Sequence, residues 1–546
     1  MMRNTTNTVF GGIRVWIPVV LIFSFVLAFA ISGLNPFKKK VEPFVPLDEY
    51  ISHLDKQIPE LMDFYNIPGS SIAIVKEGKI VWSEAYGSAD VEKGIKLTKD
   101  TPMRVQSISK SVTAWGIMKL AEQGKIELDA PVMNYINSWH FPESGFSAEQ
   151  ATVRQLLSHT GGLPLGDVFT IYSPHEEMPS LREKLTKEAI LVREPGSAFS
   201  YSNTGYNLLE LLIEEVTGQP FDEYMKQEIL NSLGMNHSTF SWNDRFDPKP
   251  PVGYDLNGKP VPVYVYPEKA SGGLFSTAED IAAFTIAGMR DISHDEQVLN
   301  FNTQVLNYNT IEAMYTPVKK EIGIYNLVFD AYGLGHYIET LPNGKKAISH
   351  GGQGTGIMTH FHAVPETGDA IVILTNSQRS WPFISYLLRD WARWRGFEST
   401  GMGRIIWGQY LLWFIIALIW SAVILQIMKL TPWIMTRNHK DIQEARHSKL
   451  RITTQIVVAL IIIFILIWCL SRKYLFLSSV FPIASQWLGI SAFVLSISLL
   501  FGAWKGRKEN LQRIERKENP QRKESKENTQ RKESKENTQR YEAEGR

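Results

Sequence analysis

Ser107-Ile108-Ser109-Lys110 is the only Ser-x-x-Lys in this chain. It opens an amphipathic helical pattern, expected to be half-exposed, in which Ile108, Val112, Trp115, Met118 and Leu120 are apolar. Residues i and i+3 share a helix face, so the hydroxyl of Ser107 and the amine of Lys110 can meet. A lysine removed from water binds its proton less tightly and can accept the serine proton, which makes the hydroxyl a nucleophile. The helix N-terminus also favours negative charge developing beside Ser107. A plainer role for the same residues is a serine cap followed by a surface lysine. Tyr201-Ser202-Asn203 follows Pro195-Gly196 and begins a second helical pattern. A tyrosine beside an ammonium is more acidic and can shuttle a proton between nucleophile and leaving group. Asn203 can hold a substrate amide through its carbonyl and NH₂, while Ser202 or Asn203 is also a natural N-cap. Ser349-His350-Gly351-Gly352-Gln353-Gly354 closes a strand-like stretch from Lys346. Glycines there let a substrate backbone come close, and a backbone N–H can join that of Ser107 as an oxyanion donor. His360 and His362 alternate on one predicted strand, but no third ligand is apparent nearby. Neither a metal nor any other cofactor is expected.

The elements that must position these groups read as a mixed α/β (α+β) domain over residues 45–395. Ser70–Val75 and Ile80–Trp82, joined by Glu77-Gly78-Lys79, form a hairpin. Met358–Val364 and Ala370–Thr375 are β-rich runs joined by Pro365-Glu366-Thr367-Gly368. Helical segments lie between, notably Ser107–Gln123 and Thr204–Thr217, the latter closed by Gly218 with Pro220 beyond. Strands at both ends with helices between imply an antiparallel sheet closed by N- and C-terminal parts, flanked by helices, plus a helical subdomain. His-Gly-Gly also occurs in the oxyanion loop of lipase-type hydrolases, but those need a Gly-x-Ser-x-Gly elbow and this chain has none.

Composition narrows the setting. The chain has 546 residues, with 57 Lys and Arg against 56 Asp and Glu, so no basic excess points to nucleic acid. The single cysteine, Cys469, excludes a disulfide scaffold and cysteine-ligated metal sites. Residues 1–40 read as a signal peptide or an N-terminal membrane anchor, with uncharged Val15–Leu34 and Ala28-Phe29-Ala30 as small residues suited to cleavage. Residues 405–504 read as three transmembrane helices, Ile405–Met428, Ile452–Leu470 and Phe481–Trp504, none carrying a charge. The absence of intramembrane charge disfavours transport. Lys429–Arg451 holds six lysines and arginines against two acids, and Lys505–Arg546 holds fourteen against nine. Both are expected to be cytoplasmic, leaving 45–395 outside. The tail 505–546 is expected to be disordered or a solvated, frayed helix; it repeats Gln521–Thr529 at Gln530–Thr538 and has no apolar residue there.

Taken in order, Ser107-x-x-Lys110, Tyr201-x-Asn203 and His350-Gly351-Gly352 resemble the serine β-lactamase and penicillin-binding-protein superfamily, most closely its class C-like branch. Leu156–Leu163, Leu233-Gly234-Met235, Ala270–Leu274 and Ser276–Asp280 fit the same branch. The resemblance covers about 45–390 and none of the membrane part. It implies acyl transfer through a serine ester: Ser107 attacks, Lys110 activates it, Tyr201 relays the proton, and Asn203 orients the substrate. The backbone amides of Ser107 and Gln353 form the oxyanion hole, with Gly351 and Gly352 lining the substrate's path. His350 stands where lactamases and D,D-peptidases of the superfamily carry the lysine of Lys-Thr-Gly. A lysine there is a permanent cation suited to a substrate carboxylate, whereas histidine near pH 7 is mostly neutral. Members with histidine or tryptophan there include esterases and peptidases acting on D-residues. The expectation is therefore a bacterial multi-pass membrane enzyme acting on a cell-envelope ester or D-amino-acid peptide. A β-lactamase or D,D-carboxypeptidase, and a silent membrane-anchored binding or signalling domain, are the alternatives.

Overall fold

Glu77 and Gly78 both adopt left-handed backbone conformations, φ 51° and 74°, the paired positive values of a two-residue hairpin turn. They fold Lys79–Asp90 (β2) back onto Gly69–Lys76 (β1) as the sequence predicts. In the computed structural model the described residues are 6–33, 40–289, 305–435, 449–472 and 475–518, with the single positions 529 and 532. They divide into two units. The larger comprises Asn35–Gln409 and Phe476–Pro482; the other comprises Met1–Leu34, Tyr410–Leu475 and Ile483–Arg546.

The larger unit is built on one antiparallel sheet. Its further strands are Ile95–Lys96 (β3), Ala331–Tyr332 (β4), Tyr337–Thr340 (β5), Lys346–Gly354 (β6), Ile357–Val364 (β7) and Asp369–Thr375 (β8). The spatial order is β3-β2-β1-β8-β7-β6-β5-β4. Ile72 pairs with Ile373, so the chain's early and late strands do close the sheet. On β7, Phe361 packs edge-on against Phe284 while the next residue, His362, packs against Trp391. Adjacent strand residues point to opposite faces. One face therefore carries Ile108–Glu122 and Ala278–Ala287, and the other carries Trp381–Trp394 with Leu47–Tyr65 against it.

One sequence expectation changes and two are sharpened. The helix after Ser107 is not half-exposed: every residue from Ile108 to Met118 is buried, so it runs through the core between the sheet and Asn203–Thr217. A helix buried on all sides needs no polar face. The strand-like stretch that Ser349–Gly354 closes is a paired strand through its glycines to Gly354, because Gly351 and Gly352 pair with His360 and Thr359. Ladder pairing overrides the low strand preference of glycine. Finally, the helix from Pro482 continues to Glu518, past the expected start of the tail. Lys, Arg, Glu and Gln are good helix formers, and Lys505 pairs with Glu509 at 3.9 Å. The nonapeptide repeat lies outside the described residues apart from positions 529 and 532.

Three helices are long and apolar enough to cross a membrane: Gly401–Thr431, Lys449–Leu470 and Pro482–Ile514. The N-terminal helix Thr6–Ser32 has a shorter apolar part, Trp16–Ser32.

Candidate active site

Gln106 holds φ 55°, a conformation uncommon for a residue with a side chain. Its amide donates to the Tyr264 hydroxyl at 2.8 Å, and the kink delivers Ser107 to the helix N-terminus. Lys110, one turn on, is fully buried, with Nζ 3.1 Å from Ser107 Oγ. The amine also donates to the Ser271 carbonyl at 2.6 Å. No carboxylate lies within ion-pair distance among the described residues, and burial holds the lysine well below its ordinary value of 10.5. The amine is thus pushed towards its neutral form: one N–H is spent on Ser271 and the lone pair is available to Ser107.

The carbonyl that orients Lys110 is itself tied down. Glu210 accepts the backbone N–H groups of Lys269 and Ala270 at 2.6 and 2.7 Å, and Thr113 donates to the Ala270 carbonyl at 3.0 Å. Arg104 donates to the Gly272 carbonyl at 3.1 Å, and the Leu274 N–H donates to Ser109 Oγ at 3.1 Å. Burial pushes Glu210 up to about 8. In the sequence, Ala270–Leu274 is notable only for its resemblance; its job in space is to present one carbonyl to one amine.

Tyr201 is hydrogen-bonded to Ser107, and its ring centroid lies 5.0 Å from Lys110 Nζ. It is not the acidified phenol expected beside an ammonium. Burial raises it well above 10.0, outweighing the Ser107 hydrogen bond, so the phenol keeps its proton at rest. Two residues on, the capping question resolves in favour of Ser202, whose Oγ accepts the Gly205 N–H at 2.9 Å and donates to the Pro164 carbonyl at 2.6 Å. Asn203 is half-buried and begins the helix. Its backbone N–H donates to the Leu165 carbonyl, and its side-chain amide makes no hydrogen bond to another described residue.

His350 is fully buried with both ring nitrogens engaged: Nδ1 is 2.8 Å from the Gly351 carbonyl, and Nε2 is 3.2 Å from the Tyr332 hydroxyl. A carbonyl only accepts, so Nδ1 carries the proton and Nε2 accepts from Tyr332. Burial and the nearby Lys110 hold the ring well below 6.5. The histidine expected among the catalytic groups is therefore a neutral, fully partnered wall. It has no vacant nitrogen to take a proton and no charge to offer a carboxylate.

Beyond it, a Cβ on Gly352 would come within 2.3 Å of the Val105 carbonyl, and one on Gly354 would meet the Gln106 side chain at the same distance. Only glycine lets β6 lie against the residues that lead into Ser107. This seats Gly352–Gly354 against Val105 and Gln106, the two residues before Ser107, and β5 pairs β6 only over Lys346–Ser349.

Sequence reasoning gives Tyr332 no role, and His159 only a place in the Leu156–Leu163 run. His159 accepts the Ser202 N–H on Nδ1 at 3.1 Å and lies 4.2 Å, ring to ring, from Tyr201. Its φ is 57°, and the two glycines after Thr160 are the signal the sequence holds; Tyr332 leaves none. His360 and His362 are both buried with ring centroids 5.9 Å apart, and His362 lies 3.4 Å from Glu339. Among the described residues no three His, Cys, Asp or Glu side chains are grouped to hold a metal.

The profile of the Beta-lactamase family matches residues 54–389. The chain belongs to that family. Relatives include Protein flp of Staphylococcus aureus strain MRSA252, 28% identical over 57% of this chain and 60% of its own length. The putative penicillin-binding protein PbpX of Bacillus subtilis strain 168 is 27% identical over 55% of this chain and 68% of its own. The chain thus spans about 60% of the length of the Flp relatives. Among solved structures, the octameric penicillin-binding protein homologue from Pyrococcus abyssi superposes with TM-score 0.55 at 28% identity, covering 66% of this chain and 81% of that one. A class C beta-lactamase mutant shares the fold, with TM-score 0.50 at 22% identity over 60% and 93%.

Proposed function

We propose that this family member is an exported, membrane-anchored serine hydrolase that acts through an acyl-enzyme on a cell-envelope ester or D-amino-acid-containing peptide. The observation that carries the reading is the desolvated Lys110 amine 3.1 Å from Ser107 Oγ with no acid to keep it charged. Lys110 takes the Ser107 proton as Oγ bonds to the substrate carbonyl carbon. The charge moving onto the carbonyl oxygen is met by the backbone N–H groups of Ser107 and Gln353. Tyr201, protonated at rest, gives its proton to the leaving group and is reprotonated from Lys110 as the carbon–leaving-group bond breaks. Water then attacks the Ser107 ester by the reverse relay. Asn203, with its side-chain amide uncommitted to other described residues, orients the substrate amide or ester.

The neutral His350 supports an uncharged acyl donor over a penicillin-like acid, because a buried imidazole held below 6.5 offers no counter-charge. Three apolar helices and the excess of lysine and arginine in Lys429–Arg451 and Lys505–Arg546 support a bacterial cell membrane location with the hydrolase unit outside. The test is intact mass of the full-length chain in detergent after incubation with a fluorophosphonate, beside Ser107→Ala. One adduct on the wild type and none on the variant is expected; no adduct on folded wild type would sink the reading.

A further inference from the structure

Phe476–Pro482 lies between the second and third apolar helices in sequence, yet it belongs to the same unit as Ser107. Within that unit it is docked. Ser479 is fully buried, Val480 is buried beside it, and the Phe481 ring lies so close to Gly408 that a Cβ there would meet it at 2.7 Å. The short helix Phe476–Val480 packs on Trp381–Trp394. From this position the Ser479 hydroxyl accepts a hydrogen bond from Gln353 Nε2 at 2.9 Å. The other end of the same amide, Oε1, accepts from Trp381 Nε1 at 3.1 Å. The Trp381 ring also covers Gly351, where a Cβ would strike it at 2.7 Å.

Alternation along β6 makes this arrangement consequential. Gly352 and Gly354 face Val105 and Gln106, which lead into Ser107, while Gly351 and Gln353 face Trp381 and Ser479. The strand is therefore gripped from behind at Gly351 and Gln353, the residues that alternate with the glycines packed on Val105 and Gln106. An oxyanion donor is effective only when its direction is set before reaction.

We infer that Ser479 is a positioning residue for acyl transfer: it fixes the Gln353 side chain, and through it the direction of the Gln353 backbone N–H. On this inference the site is complete only in a chain that carries the segment between its second and third apolar helices. It rests on the serine-hydrolase reading, and its test separates the two.

Full-length wild type, Ser479→Ala, Gln353→Ala and the double variant are compared in phospholipid nanodiscs, by fluorophosphonate labelling rate and by hydrolysis of p-nitrophenyl butyrate. Each single variant is expected to lower kcat and labelling rate about tenfold, with KM changed less than about twofold, since a misaimed donor is lost in the transition state rather than in binding. The double variant is expected to fall no further than Gln353→Ala, because the side chain that Ser479 holds is then already gone. Losses that multiply in the double variant would overturn the inference, as would a wild-type rate in Ser479→Ala. If Ser479→Ala does not fold, a wild-type rate in Gln353→Ala would overturn it. A wild type that is never labelled would instead remove the hydrolase reading, and the inference with it.

Discussion

Lys110 and His350 are both fully buried nitrogen bases in one site, and the fold treats them in opposite ways. The lysine has one carbonyl and one hydroxyl for company and no acid. The histidine has a partner on each ring nitrogen, and the Gly351 carbonyl, which can only accept, sets its tautomer. Burial pushes both towards the neutral form, each below its ordinary value. A neutral base with an open lone pair beside a hydroxyl is a reagent; a neutral base with every lone pair and proton spoken for is structure. Chemistry is thus concentrated where hydrogen-bond partners are left over.

Breaking the reactive corner is expected to have the largest effect. Lys110→Met should lower labelling of Ser107 by about 10³-fold or more, as loss of an activating base does. It should also remove a slope in stability. A lysine held below its ordinary value binds its proton more weakly in the folded state, so wild-type stability rises with pH between the folded value and 10.5. Urea unfolding at pH 7 and pH 10 should show that rise in the wild type and a flatter response in the variant. Tyr201→Phe keeps the ring and removes the relay; a loss of about 10²-fold in kcat is expected, within the usual range for a proton-transfer group.

The neighbours Ser202 and Asn203 sharpen the comparison, because one is spent on structure and the other is not. Ser202→Ala is expected to cost about 1 kcal/mol of stability through the lost cap. Asn203→Ala should leave the unfolding midpoint in place and raise KM. The smallest effect on rate is expected at the partnered corner. Tyr332→Phe leaves His350 Nε2 without its donor, which should cost about 1–2 kcal/mol in stability, the usual range for an orphaned buried acceptor, and lower activity only about threefold. A large loss of activity there, with stability intact, would make His350 a reagent after all.

What the sequence disclosed follows the same division. Ser107 and Lys110 were legible because a one-turn spacing is a local property, and the β1–β2 hairpin because Glu77-Gly78 encodes its own turn. Tyr332 and the Ser271 carbonyl were not, since their contacts join residues 18 and 161 positions apart in the chain. That the glycines closing β6 are ladder residues is decided by pairing with β7, not by residue preference. Phe476–Pro482 was the hardest to see. Phe481 and Pro482 read as part of an apolar run, and only the hydrogen bond from Gln353 to Ser479 shows that the segment serves the larger unit. The tyrosine is legible from its motif, but not the direction of its shift, because burial outweighs the hydrogen bond to Ser107.

The most direct test of the central claim is the rate of fluorophosphonate labelling of Ser107 in the full-length chain from pH 6 to pH 10. If a neutral Lys110 is the base, the rate rises as the amine loses its proton and levels off well below 10.5. A rate still climbing through pH 10 would contradict the account, because the lysine would then be an ordinary charged amine and the serine would owe its reactivity to something else.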